Sequence, residues 1–244
     1  MNSYSADVTV SSDSSYGDGG SFQKTIKGHL KLLKPNMYHI TWGNDHPHAV
    51  WNNGKGAFYF FVNDIGQKFY GNPKMDRSNL DSAVGISSGI TYTAPFLFFK
   101  EAKDIFSDLH NFHLIKSELL NNEDCTVIEA SGDYIAKRIF WISKASNVMV
   151  QVETRRDSSI EKDPYAEELT DEKIKQSLSD SGRESTPENI AKLKELYAET
   201  RKTMQKMGNI KSITKEIFTQ IQINSKIDID SLEFVVPEGV PLGK

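Results

Sequence analysis

The sequence predicts a mainly β protein (α+β) built on one long antiparallel sheet, interrupted once by a helical insert. Three observations carry this. Arg138-Ile-Phe-Trp-Ile-Ser143 runs into the turn-like Lys144-Ala-Ser-Asn147, and Val148-Met-Val-Gln-Val-Glu-Thr154 returns from it. After a charged insert the chain resumes at Ile213, and Ile213, Ile217, Ile221 and Ile223 share one parity, hence one strand face. Val148, Val150 and Val152 share a face in the strand before the insert, and Leu232-Glu-Phe-Val-Val-Pro-Glu-Gly239 closes the chain in extended form. A sheet with one apolar face needs a cover, and the identity of that cover is the functional question.

The elements follow in order. Tyr4 to Val10 alternates as a strand, and Ser11 to Gly20, rich in Ser, Asp and Gly, reads as a loop. Phe22 to Lys34 is a long strand with Phe22, Ile26, Leu30 and Leu32 on one parity. After Pro35-Asn36, the residues Tyr38, Ile40 and Trp42 give the next apolar face. Ala49-Val-Trp51 and Phe58 to Val62 flank the hairpin turn Asn52-Asn-Gly-Lys55. Phe58-Tyr-Phe-Phe-Val62 is apolar on both parities, so both of its faces should be covered. Asp64 to Pro95 is poorly patterned, with a short helix expected near Leu80. Ala102, Ile105, Phe106 and Leu109 keep helical spacing, and strands return at Phe112 to Leu120, Cys125 to Ala130 and Tyr134 to Ser143.

The insert, about residues 165–208, reads as a helical pair within a single domain spanning 1–244. Thr170-Asp-Glu places a cap and two acids at one helix start, and Thr186-Pro-Glu places Pro187 at the favoured first position of the next. Ile190, Leu193, Tyr197, Thr200, Met204 and Met207 form a stripe that Gly208-Asn209 ends. Such a stripe packs on a sheet or covers a cavity, with the methionines as adaptable contacts.

Composition narrows the function. A chain of 244 residues with 25% charged residues and net charge −4 carries no electrostatic footprint for nucleic acid. No apolar run approaches the ~20 residues of a membrane-spanning helix. The one cysteine, Cys125, lies in a strand pattern as a buried thiol and has no partner for an internal disulfide. The strand pattern begins almost at Met1 without a signal peptide, which suggests that Met1 is not the natural start.

Several segments then line up with a known family. Gly28 to Trp42 resembles the second and third strands of the LolA-type periplasmic lipoprotein carriers and their LolB-like and LppX-like relatives. Ala49 to Phe60 resembles their next hairpin, Ser3 to Thr9 their first strand, and Leu232 to Val240 their closing Phe-x-Phe-x-x-Pro-x-Gly segment. The hairpin of Phe140 to Val152 suits the wider group of outer-membrane lipoprotein-sorting proteins. The resemblance implies a curved antiparallel half-barrel whose concave face holds acyl chains under covering helices. It also implies a periplasmic location, with a signal peptide and a first helix absent from this chain. The family's cavity-facing arginine before the proline of the second strand is Lys34 here, which lacks arginine's planar fork.

Together these readings assign a lipid-binding face to Leu30, Leu32, Lys34, Tyr38, Ile40, Trp42, Phe58, Phe60, Trp141, Val150, Ile217 and Ile221. They assign a lid to Leu193, Tyr197, Met204 and Met207. The expected function is an exported, non-catalytic carrier of lipid or lipoprotein acyl chains, without cofactor or metal, exchanging cargo with a membrane-associated donor or acceptor. A lipid- or lipoprotein-sensing domain of the same fold is the alternative. Enclosing one acyl chain at ~0.8 kcal/mol per methylene must supply on the order of 10 kcal/mol, which calls for a deep apolar sheet and a cover.

Two motifs suggest chemistry. Gly85-Ile-Ser-Ser-Gly89 matches the Gly-x-Ser-x-Gly esterase pattern with Ser87 as nucleophile, but no parallel strand precedes it, and His110 and His113 follow too soon. Asp45-His-Pro-His48 and His110-Asn-Phe-His113 each offer two ligands, yet neither has a recognised zinc spacing. The acids Glu167-Glu168 and Asp171-Glu172 read as a solvated face.

Overall fold

Period-two patterning builds nearly the whole molecule. The computed structural model describes all residues except 45–46, 64–65, 72–79, 81–82, 85–86, 100–105, 107–108, 134, 162–168, 181–182, 241 and 244. Its strands are β1 (Ser3–Tyr16), β2 (Ser21–Leu33), β3 (Met37–Trp42), β4 (His48–Asn52), β5 (Ala57–Val62), β6 (Lys68–Gly71), β7 (Leu109–Leu120), β8 (Glu123–Gly132), β9 (Lys137–Ser143), β10 (Met149–Asp157), β11 (Ile210–Ile223) and β12 (Leu242–Gly243). The helices are α1 (Thr93–Phe98), α2 (Asp171–Asp180) and α3 (Pro187–Met207), with a 3-10 turn at Ile229–Leu232. Among the described residues the strands form one sheet in the order β12-β6-β5-β4-β3-β2-β1-β11-β10-β9-β8-β7. Neighbours are antiparallel except the two-residue β12, which runs parallel to β6. The ends do not meet, and the result is an open half-barrel.

The inner face is set by register. Ala6, Leu30, Ile40 and Val50 stand side by side across β1 to β4, and all are buried in one core with Val8, Val10, Ile26, Leu32, Tyr38 and Trp42. Gly28 shares this face, and a Cβ there would meet Thr41 O at 2.7 Å and Ile90 Cδ1 at 3.0 Å, so glycine lets the covering segment lie close on the sheet. Ser11 to Tyr16, expected as a loop, continues β1. Its polar side chains are tolerated because the backbone is laddered on both sides, to β2 and β11, and the turn contracts to 17–20.

The outer face has its own core. Trp51 stacks on Phe58 and Tyr70 with ring centroids 5.4 and 5.9 Å apart, and Phe234 packs on Trp51 at 5.4 Å and Phe60 at 5.2 Å. Strand β5 is therefore covered on both faces, with Tyr59 and Phe61 inside and Phe58 and Phe60 outside. The closing segment, expected in extended form, joins no ladder of the sheet. Leu232 ends the 3-10 turn and residues 233–237 cross the outer face without ladder pairing, where the missing N–H of Pro237 costs nothing. Leu232 is wholly buried, so Leu232→Ala should cost about 2–5 kcal/mol in urea unfolding. A loss well under 1 kcal/mol would mean that this segment is not docked in solution.

Leu109, expected to end a helix, begins β7, while Ala102 and Ile105 of that helix lie outside the described residues. The helix expected near Leu80 lies partly outside them too, with Leu80 and Ala83 buried in the inner core. The insert forms its two helices. The Thr186 hydroxyl accepts from Asn189 N at 3.2 Å, and Gly208 ends α3 at φ 66°. The acids Glu167 and Glu168 lie outside the described residues.

Candidate functional site

The inner face is covered by Leu80, Ala83, Ile90 and the residues of α1, and among the described residues none of the insert joins that core. Helix α1 is apolar nearly all round, as a buried helix should be, and Ala94, Phe96 and Phe98 enter the inner core. Its first residue is tied to the sheet by a buried polar contact. Thr93 Oγ1 donates to Glu216 Oε1 on β11 at 2.8 Å. Burial pushes the Glu216 carboxyl up to about 7, opposed by the Thr93 hydrogen bond and the Arg138 charge. Arg138 Nε in turn donates to Thr154 Oγ1 at 3.1 Å. Glu216 thus sits on the inner face, on the parity opposite the isoleucines of β11.

Beside α1 the cover is incomplete and leaves a cavity of about 720 Å³, within the ~300–1,000 Å³ of sites that enclose small ligands. Ile128, Phe140, Ile142 and Met149 form its floor on β8 to β10. Tyr4 stands at its side, and Ala94, Leu97, Phe98 and Phe106 roof it. Phe112, Ser146, Asn147, Ile223 and Asn224 lie toward its mouth. None of the described lining residues carries a carboxylate, imidazole, guanidinium or thiol. The one titratable side chain among them is Tyr4, whose phenol burial pushes well above its ordinary value and so holds neutral.

The structure divides the residues expected on the lipid-binding face. Leu30, Leu32, Tyr38, Ile40 and Trp42 do face inward, but as packed core beneath the covering segment and not as cavity wall. Lys34 lies over the ring of Phe98 on α1, its Nζ 5.6 Å from the centroid, and so touches the roof. Phe58 and Phe60 face outward with Trp51, because Trp51 pairs Phe58 while inner Val50 pairs Tyr59.

Trp141 and Val150 also lie on the outer face, packed with buried Cys125 and Val127. For Val150 the reason is a bulge. Met149 pairs Ile142 and Gln151 pairs Trp141, so an extra residue shifts the parity and puts Val150 outside while Val148 and Val152 pack inside. Ile217 is outside as well, since its neighbours Glu216 and Phe218 are the buried inner residues. Ile221 follows Gln220, whose φ of 51° accompanies a register shift against β1, and it touches both cores.

Leu193, Tyr197, Met204 and Met207 are half-buried on α3, which contacts α2, whose Ile174 and Leu178 are buried. Among the described residues lining the cavity, none comes from α3. The roof that sequence reasoning missed has a signal in retrospect. Pro95-Phe-Leu-Phe-Phe99 is too apolar for an exposed loop, and as a short helix it must be buried.

Ser87 is fully buried. Its hydroxyl donates to Val84 O at 3.2 Å and lies 3.3 Å from Thr91 Oγ1, while Gly85 and Ile86 lie outside the described residues. A hydroxyl engaged inside its own turn is not presented to a substrate. Ser87→Ala should therefore leave ester hydrolysis at background, and turnover that vanishes in this variant would overturn that reading.

His48 stacks on Trp42 at 5.5 Å, whereas Asp45 and His46 lie outside the described residues. His113 sits 3.5 Å from Glu129. No three His, Cys, Asp or Glu converge among the described residues, and none of their helices is long and apolar enough to cross a membrane.

Comparison with known proteins places the chain. No curated protein matches it. Among solved structures it is similar to a LolA superfamily protein from Nitrosomonas europaea, at 11% identity over 94% of this chain and 90% of that one, with a TM-score of 0.31. It is similar also to the lipoprotein LppX of Mycobacterium tuberculosis, at 9% identity over 91% and 89%, with a TM-score of 0.38. A DUF1329 family protein from Desulfovibrio piger matches at 10% identity over 95% and 90%, with a TM-score of 0.31. LolA-superfamily and LppX proteins, which the sequence resembles, are thus among these structures. A family model described as a predicted periplasmic protein (DUF2092) matches residues 1–192, and the chain belongs to that family.

Proposed function

We propose that this protein is a non-catalytic periplasmic carrier that holds an acyl chain of a lipid or lipoprotein in the cavity under α1. The observation that supports this most is the lining, which is apolar at the floor and roof and, among the described residues, without a side chain suited to acid–base or nucleophilic work. Such a site offers a hydrocarbon chain a gain of ~0.8 kcal/mol per methylene and offers a charged metabolite nothing. The family's description as periplasmic fits a cargo that must cross water between membranes.

Native mass spectrometry of the purified protein, followed by displacement of a fluorescent fatty acid by unlabelled lipid, tests the proposal. Bound lipid or saturable displacement is expected. A protein that carries no lipid and leaves the probe in water would refute it.

A further inference from the structure

We infer that acyl chains enter and leave the cavity over the free edge strand β7, and that Leu114 and Phe112 seat this edge in a lipid bilayer during exchange. The inference rests on the carrier reading and adds the place of transfer. Register aligns Val152, Phe140, Ile128 and Leu114 in one row across β10, β9, β8 and β7. Exposure climbs along that row. Val152 is buried, Phe140 is 6% exposed on the cavity floor, Ile128 is half-buried beside it, and Leu114 is 68% exposed at the rim. Among the described strands β7 is the end of the sheet, so no described strand continues the row beyond Leu114.

Bulges on either side of His113 and Leu114 shift β7 against β8. Phe112, 54% exposed, lines the cavity from this same strand. The apolar floor therefore runs out of the cavity to the rim without a polar step. A chain sliding along it exchanges one hydrocarbon surface for another, whereas an exit over polar surface wets each methylene at ~0.8 kcal/mol.

A bilayer fits this rim because its apolar inner side is continuous with the cavity floor and its charged side chains lie on the other side. Lys116 and Glu118 pair with each other at 2.7 Å and project on the outer side, where Lys116 pairs Val127 and Glu118 pairs Cys125. The inner side of the edge keeps Phe112 and Leu114. Long exposed apolar edges are otherwise a hazard, and immersion in lipid gives this one a use. The attraction is apolar, so zwitterionic lipid suffices and added salt should not weaken it.

The test compares the wild type with Leu114→Asp, and uses Val235→Asp as a control because Val235 is 86% exposed on the distant closing segment. Three quantities are measured. They are binding of a fluorescent fatty acid in solution, flotation with phosphatidylcholine vesicles, and the rate of probe transfer between such vesicles. Leu114→Asp should bind the probe within about twofold of wild type, fail to float, and transfer at least about tenfold more slowly; Val235→Asp should match wild type.

Unchanged flotation and transfer in Leu114→Asp would overturn the inference and leave the carrier reading standing. So would an equal loss in Val235→Asp, or a wild-type dimer that Leu114→Asp converts to monomer, since the edge would then serve a second copy. Failure of the wild type to bind the probe at all is a different result and removes the carrier reading itself.

Discussion

Glu216→Gln is expected to gain stability relative to the wild type as the pH rises from about 5 to about 8. Burial lifts the Glu216 carboxyl from its ordinary 4.5 to about 7. Between those values the folded chain keeps a proton that the unfolded chain has released, so folding is favoured at the lower pH. The contribution is complete below 4.5 and is lost as the pH climbs through about 7, on the order of 3 kcal/mol in all.

His39 acts in the opposite sense. Burial, aided by the Lys31 charge, lowers it from 6.5 to about 4, so its contribution is present above 6.5 and is lost as the pH falls through about 4. The wild-type profile sums both groups, and the difference between wild type and Glu216→Gln isolates the carboxyl. Glutamine mimics the protonated acid, and its amide oxygen can still accept from Thr93. Urea unfolding at the two pH values should show the variant's stability moving up against the wild type by on the order of 3 kcal/mol. An equal difference at both would mean that Glu216 is ionised throughout and that α1 is anchored by a charge.

The second large effect is expected from filling the cavity. Ile142 is half-buried on the floor, where an indole can enter space that ligand would otherwise take. Ile142→Trp should fold and should exclude two to four methylenes of a bound chain. At ~0.8 kcal/mol each, this weakens fatty-acid binding by on the order of 10- to 200-fold. Phe58→Leu, on the outer face against Trp51, should leave affinity unchanged although it too alters an apolar cluster of the sheet. Reversal of the two results, with the outer variant impaired and the inner one intact, would place the binding face on the other side of the sheet.

The sequence by itself determined the antiparallel strands, the turn at Asn52 to Lys55, the caps of the two insert helices and the shared face of Leu30, Leu32, Tyr38 and Ile40. These rest on local rules, alternation and capping, that act over a few residues. Only the tertiary structure decided which apolar face is the inner one. Both faces of this sheet are apolar in places, because the segment around Phe234 covers the outside of β4 and β5 while α1 covers the inside. Parity alone therefore cannot separate Phe58 from Tyr59, or Trp141 from Phe140.

Bulges defeat parity altogether. The extra residue at Val150 and the left-handed backbone at Gln220 reverse the faces within single strands, and neither has a hydrophobic signature to announce it. The cover was hidden for a related reason. A six-residue helix such as α1 is too short to show a period, and its stability comes from burial against the sheet. The long, well-capped α3 is legible because its order is local, yet the cavity that defines the candidate site is formed without it.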